Sequence, residues 1–198
     1  NFAAKDALYG EDDLFIYGLN GTGKSFLLQS LCNLYSDRDK TSLYIPIREV
    51  KNLGSNFLES LESFDLICID DIDFILDDSD WELSLFNLIN NSLISNCRLI
   101  FSSHLNPSDI NFQLKDLISR LKKTDHIEIF PVSINKLSDA LRFVSNIRSI
   151  KLGDNEIKYI LTHSKRNMSD LVSVLNKLDE LSIQLKRKIT IPLIKQVI

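Results

Sequence analysis

Residues Gly18-Leu-Asn-Gly-Thr-Gly-Lys-Ser25 carry glycines, a lysine and a hydroxyl at the spacing G-x-x-x-x-G-K-[ST]. The chemistry this spacing supports is phosphate binding. Glycines let backbone N–H groups turn inward around an anion, and a following helix adds its positive N-terminal dipole. Lys24 is placed to reach terminal phosphates and Ser25 to hold a magnesium ion, with Gly18, Asn20, Gly21, Thr22, Gly23 and Phe26 as the loop's other contacts. A second stretch, Leu66-Ile-Cys-Ile-Asp-Asp-Ile-Asp73, is an apolar run ending in acids. Beside a phosphate loop such a run delivers an aspartate to the metal. That role is assigned to Asp70, and Asp71 is set to orient a water or complete the metal shell, while Asp73 is expected to face outward. A third stretch, Arg98-Leu-Ile-Phe-Ser-Ser-His104, ends in polar residues that can sense phosphates, although His104 reads equally well as a surface histidine.

These residues need elements to hold them. Leu14–Tyr17 is a short apolar strand before the loop, and Phe26–Tyr35 has helical spacing after it. Further strands are expected at 42–47, 66–69, 98–102 and 126–132, separated by helical patterns, which is the signature of a parallel sheet covered on both faces. Pro46 donates no ladder hydrogen bond, so its strand belongs at an edge, with the acidic strand beside it and the fourth strand between the acidic strand and the loop strand. Ser79 and Glu82 form a capping-box signal for a helix over 79–95. After Pro131 only helical patterns follow, at 133–150, 154–163, 167–186 and 190–198, with Ser133, Asp154, Asn167 and Thr190 as N-cap candidates. The expected fold is α/β over residues 1–132, with a five-stranded parallel sheet, then a small all-helical domain over 133–198.

The chain has 198 residues and a formal charge of −4. That acidity argues against a broad nucleic-acid footprint, so no sequence-specific binding of duplex DNA is expected. Lys122-Lys123 and Lys186-Arg-Lys188 read as solvated faces. Cys32, Cys68 and Cys97 have neither metal nor redox spacing and read as reduced apolar residues of a cytoplasmic protein. No apolar stretch has the length of a membrane span.

Phosphate loop, acidic strand, polar fourth strand, a Ser119-Arg-Leu121 segment and a helical tail occur in this order. The chain therefore resembles an AAA+ ATPase, specifically the DnaA-related branch and the regulatory inactivators within it. The stretches 65–73, 81–88, 116–121 and 188–195 carry the resemblance, which runs from about residue 14 to the last residue. It implies an AAA+ P-loop domain with a helical lid, binding ADP or ATP with Mg2+. It also implies that Arg120 acts in trans, offered to ATP held by DnaA, and such a finger can raise phosphoryl transfer by roughly three to five orders of magnitude. DnaA is the implied partner, together with the DNA polymerase sliding clamp, contacted through a segment N-terminal to these residues. A homodimer is compatible with the same reading. The DNA-binding domain that follows the lid in DnaA itself is not expected here.

Departures from the branch matter. His104 stands where an aspartate is usual, and Leu105 where an arginine is usual. Ser169 takes the place of the lid's nucleotide-sensing arginine, with Arg166 as a candidate substitute. This puts efficient hydrolysis by the chain alone in doubt and favours stable diphosphate binding. The alternative is a self-contained AAA+ ATPase, such as a DnaA core fragment or a helicase loader.

Overall fold

The computed structural model describes residues 8, 10–165 and 167–198. Two compact units are distinguished: Asn1–Asn20 with Lys24–Ile129, and Gly21–Gly23 with Phe130–Ile198.

In the first unit, strands β1 (Leu14–Tyr17), β2 (Ser42–Pro46), β3 (Leu66–Asp70), β4 (Arg98–Ser103) and β5 (Asp125–Glu128) form one parallel sheet. Its order is β2-β3-β4-β1-β5, so the Pro46 strand is an edge and the acidic strand is its neighbour. The period-two alternation of strands splits the apolar residues between two faces. Leu14, Ile16, Leu66, Cys68 and Ile100 pack with Leu28 and Leu31 of helix α1 (Lys24–Ser36). Phe15, Ile67, Ile69, Leu99 and Phe101 pack on the other face, where Trp81, Leu85, Leu88 and Ile89 of α3 (Ser79–Ser95) join them. Leu117 and Leu121 of α4 (Lys115–Leu121) belong to the same cluster. Each such side chain, fully buried, contributes roughly 1.5–3 kcal/mol. The three central strands β3, β4 and β1 are buried almost throughout and make a rigid platform whose ends are available to present side chains. All three cysteines are free thiols, Cys68 and Cys97 being buried.

Between β2 and β3 the chain makes the four-residue helix α2 (Ile47–Val50) and two 3-10 turns, Lys51–Leu53 and Ser55–Leu58. The second unit has α5 (Leu137–Ile147), α6 (Asp154–His163), α7 (Met168–Leu185) and α8 (Ile191–Ile194). Leu141, Ile160, Leu171, Leu175, Leu178 and Ile194 form its own core.

Several local expectations differ from the structure. Strand β5 ends at Glu128, earlier than position 132. One more bond continues the pairing, from the Ile129 N–H to the Tyr17 carbonyl at 2.7 Å, before Pro131 removes a donor. Ser79 does not cap α3. Asp78 does, accepting from the Trp81 N–H at 3.4 Å, and buried Glu82 instead accepts the Leu114 N–H at 2.8 Å, tying α3 to the segment before α4. Asn167 caps α7 as expected, accepting from Asp170 N–H at 2.8 Å. Ser133 and Thr190 occupy cap positions without a side-chain cap bond, and Gly153 takes the position expected of Asp154. Asp154 instead pairs with Arg142 of α5.

Candidate phosphate-binding site

The loop between β1 and α1 is shaped by its glycines. Gly18 has φ +151°, and a Cβ there would lie 2.2 Å from the Ile129 carbonyl oxygen, so no other residue fits without moving backbone. Its N–H donates to the Ser103 carbonyl at 3.3 Å, which fixes the start of the loop beside the end of β4. Gly23 has φ +99° and open space where a Cβ would be, which leaves room for an anion in front of the first turn of α1.

Lys24 is buried, and its Nζ donates to the carbonyls of Gly18 at 2.7 Å and Leu19 at 3.2 Å. The ammonium therefore spans the loop. Burial lowers its pKa, and the nearby carboxylates of Asp71, Asp70 and Asp73 oppose that shift. A phosphate group would give this buried cation the counter-charge it otherwise draws from the acids. Thr22 is buried, whereas Asn20, Ser25 and Phe26 are exposed on the loop and the first turn of α1.

Asp70 is the last residue of β3 and is buried. Its Oδ1 accepts a very short hydrogen bond from Ser102 of β4, and its Oδ2 accepts the Tyr44 hydroxyl of β2 at 2.6 Å. The phenol sits in a desolvated position beside a carboxylate, and its pKa is raised by the burial first and by Asp70 second. Asp71 follows in the left-handed region, φ 57° and ψ 50°. Its N–H donates to the Ser102 hydroxyl at 3.0 Å, and its carboxylate lies 3.4 Å from the Arg48 guanidinium. Arg48 in turn stacks over Phe74, 4.4 Å from the ring centroid. Burial, then Asp70 and Asp73, push the Asp71 pKa up, while Arg48 and Lys24 restrain it.

Asp73 corrects an expectation. It faces inward, with a side chain only 1% exposed. The left-handed turn at Asp71 reverses the chain into a 3-10 turn (Ile72–Ile75) and brings Asp73 back against the end of β4. There its carboxylate accepts the Ser103 hydroxyl at 2.7 Å and the His104 N–H at 3.1 Å, and it pairs with His104 Nδ1 at 2.5 Å. His104 is thus an anchored ring on the loop's rim, one residue beyond the Ser103–Gly18 contact.

The donor set suits a hard divalent ion that keeps much of its water. Among the described residues no group of three or more His, Cys, Asp or Glu could hold a metal by itself. Ser25 and Asp70 could supply a hydroxyl and a carboxylate, and Mg2+ ordinarily takes its remaining ligands from phosphates and water.

Arg120 stands elsewhere. It lies in the last turn of α4, half-buried, on the wall of a cavity of about 660 Å³. Asp13, Asp65, Arg98 and Asp125, which precede or open strands, line the same cavity, so Arg120 belongs to the end of the sheet opposite the loop. Strands of four to six residues put roughly 10–17 Å of sheet between the two rims. Ser169 is exposed in the first turn of α7, and Arg166 lies outside the described residues.

Sequence reasoning missed Tyr44, Ser102 and Arg48. Tyr44 had a signal: it lies two residues before Pro46 on the strand next to the acidic one, and a polar-tipped aromatic there can reach across to an acid. Arg48 had none, because its place depends on the turn after β2.

Comparison with known proteins follows the same two parts. Residues 3–128 match the family described as the bacterial DnaA ATPase domain, and residues 135–198 match the family described as Hda, lid domain. An uncharacterized protein of Haemophilus influenzae is 30% identical over 185 residues, covering 93% of this chain and 80% of that one. Domain III of the Thermotoga maritima replication initiation protein DnaA superposes with a TM-score of 0.77 at 21% identity, covering all of this chain and 88% of that one. AMPPCP-bound DnaA from Aquifex aeolicus gives a TM-score of 0.68 at 23% identity, with 91% of this chain matched to 60% of that one. With a parallel five-stranded P-loop sheet, paired acids beside its loop and a helical lid of the Hda type, the chain belongs to the DnaA-related family of AAA+ ATPase domains.

Proposed function

We propose that this chain is a nucleotide-binding regulator of replication initiation that stimulates ATP hydrolysis by DnaA, acting with the sliding clamp. In this reading ADP or ATP is held by the loop at Gly18–Ser25, with Lys24 on the phosphates. Ser25 and Asp70 would hold Mg2+, which supplies charge neutralisation of the phosphates when bound. The observation that carries the regulatory part is the position of Arg120. It is at the end of the sheet opposite its own loop, which supports a role for its charge on the phosphates of another subunit.

The test is turnover of DnaA-bound ATP with clamp-loaded DNA, using full-length protein and its Arg120→Ala variant. The variant is expected to fold and bind nucleotide normally, yet to lose most of the stimulation. Equal stimulation by the two proteins refutes the finger. One observation favours a second reading, a self-contained ATPase: Lys24, Asp70 and Asp71 are all present and gathered around one loop. DnaA-independent hydrolysis that survives Arg120→Ala and is abolished by Lys24→Ala would establish that alternative.

A further inference from the structure

Asp70 is held from both sides. Ser102 on β4 takes one carboxylate oxygen and Tyr44 on β2 takes the other, so the two strands flanking β3 fix the rotamer of the acid at its tip. Ser25 and Gln29 on α1 are near enough to the phenol to favour its ionised form, against the larger effects of burial and Asp70. One phenolic oxygen thus joins the edge strand to the acidic strand, beside the first turns of the helix that follows the loop. It is bonded to one of the two residues assigned to magnesium and is a neighbour of the other. There it does toward the acid what a metal-bound water does: it donates to the carboxylate. Mg2+ keeps several of its waters and meets protein carboxylates largely through such contacts.

From this geometry we infer that Tyr44 is a positioning residue for the magnesium site, holding Asp70 turned toward Ser25 so that the hydrated ion meets an acid already oriented. The inference rests on the nucleotide reading above. The aromatic ring has a separate task, packing partly buried against the cluster that contains Leu28, Leu31 and Cys68. Tyr44→Phe keeps that packing and removes only the hydroxyl. Asp70 then loses one charge-assisted hydrogen bond, and with it the restraint on that oxygen.

The experiment is ADP binding by calorimetry, with Mg2+ and with EDTA, for wild type, Tyr44→Phe and Ser102→Ala. The quantity read is the ratio of the two affinities for each protein. The ratio is expected to fall about tenfold in Tyr44→Phe, the change that 1.4 kcal/mol produces, while the affinity in EDTA stays within about twofold. Ser102→Ala frees the other oxygen of Asp70 and should lower the ratio in the same direction, which keeps the test alive if Tyr44→Phe folds poorly. An unchanged ratio in both variants assigns Tyr44 to packing alone and overturns the inference. A raised ratio in Tyr44→Phe means that the phenol competes with the ion, and overturns it equally. If wild type binds neither ADP nor ATP under either condition, the nucleotide reading itself fails.

Discussion

Asp73→Ala is the most demanding test of how the rim of the loop is built. The carboxylate is 1% exposed and accepts from two donors, the fully buried Ser103 hydroxyl and the part-buried His104 N–H. A third partner, the His104 ring, is 41% exposed and can turn to solvent. Each buried donor left without a partner costs about 1–3 kcal/mol. Removing a buried charge returns part of that sum, because its desolvation is relieved. The net loss is about 1–3 kcal/mol, which for a chain of this size lowers the melting temperature by at least about 2 °C. His104→Ala removes only the half-exposed partner and should cost less than about 1 kcal/mol. The single tryptophan, Trp81, is buried in the first unit, so its fluorescence follows this unit separately from the helical one. Thermal melts of the two variants by that signal decide the matter. If Asp73→Ala costs no more than His104→Ala, the carboxylate is not the anchor of the rim.

Three further outcomes follow from the same geometry. Gly18→Ala should unfold the first unit or destabilise it by more than about 3 kcal/mol, since its Cβ meets the Ile129 carbonyl, whereas Gly23→Ala meets nothing and should cost only the roughly 1–3 kcal/mol of an unfavourable φ; urea titrations compare the two. Asp71→Asn should raise the melting temperature at pH 7. The native state holds the Asp71 proton more firmly than the unfolded chain does, so the contribution of Asp71 is most favourable below the ordinary carboxylate pKa and is lost as pH rises through the raised one; the advantage of the variant should therefore shrink as melts are taken from pH 7 toward pH 4. Lys24→Ala should weaken ADP binding at least tenfold in calorimetry, because the buried ammonium is the loop's only cationic side chain.

The parts of the fold that were legible in the sequence are those where one residue type allows one geometry. The loop is read from fixed glycine, lysine and serine positions, and Pro46 marks an edge because a missing N–H leaves no other place in the sheet. The order of β3, β4 and β1 follows from the need to bring Asp70 and His104 to one rim. What stayed hidden depends on single backbone conformations. The left-handed φ at Asp71, adopted by a residue other than glycine, swings Asp73 inward, and nothing in the local pattern signals it. Asp78 and Ser79 are both good caps on paper, and the choice fell to the residue whose oxygen reaches the Trp81 N–H. Glu82 fitted a capping box by spacing, but burial gave its carboxylate a long-range partner instead, which spacing cannot express. Tyr44 was read only for the strand it belongs to. Its hydroxyl acquires meaning from Asp70, 26 positions later, through the parallel pairing of β2 with β3.

The separation of Arg120 from the phosphate loop gives the first unit a polarity. Subunits joined by an arginine of one and a nucleotide of the next form a directional row, and such a row has two unlike termini. At one terminus a nucleotide lacks an arginine; at the other an arginine lacks a nucleotide. Under the function proposed above, a chain that joins a row of DnaA through Arg120 would dock only at the first of these, and its stoichiometry would be set by the number of rows and not by the number of DnaA molecules in them. Hydrolysis would then begin at one end and have a sense of travel.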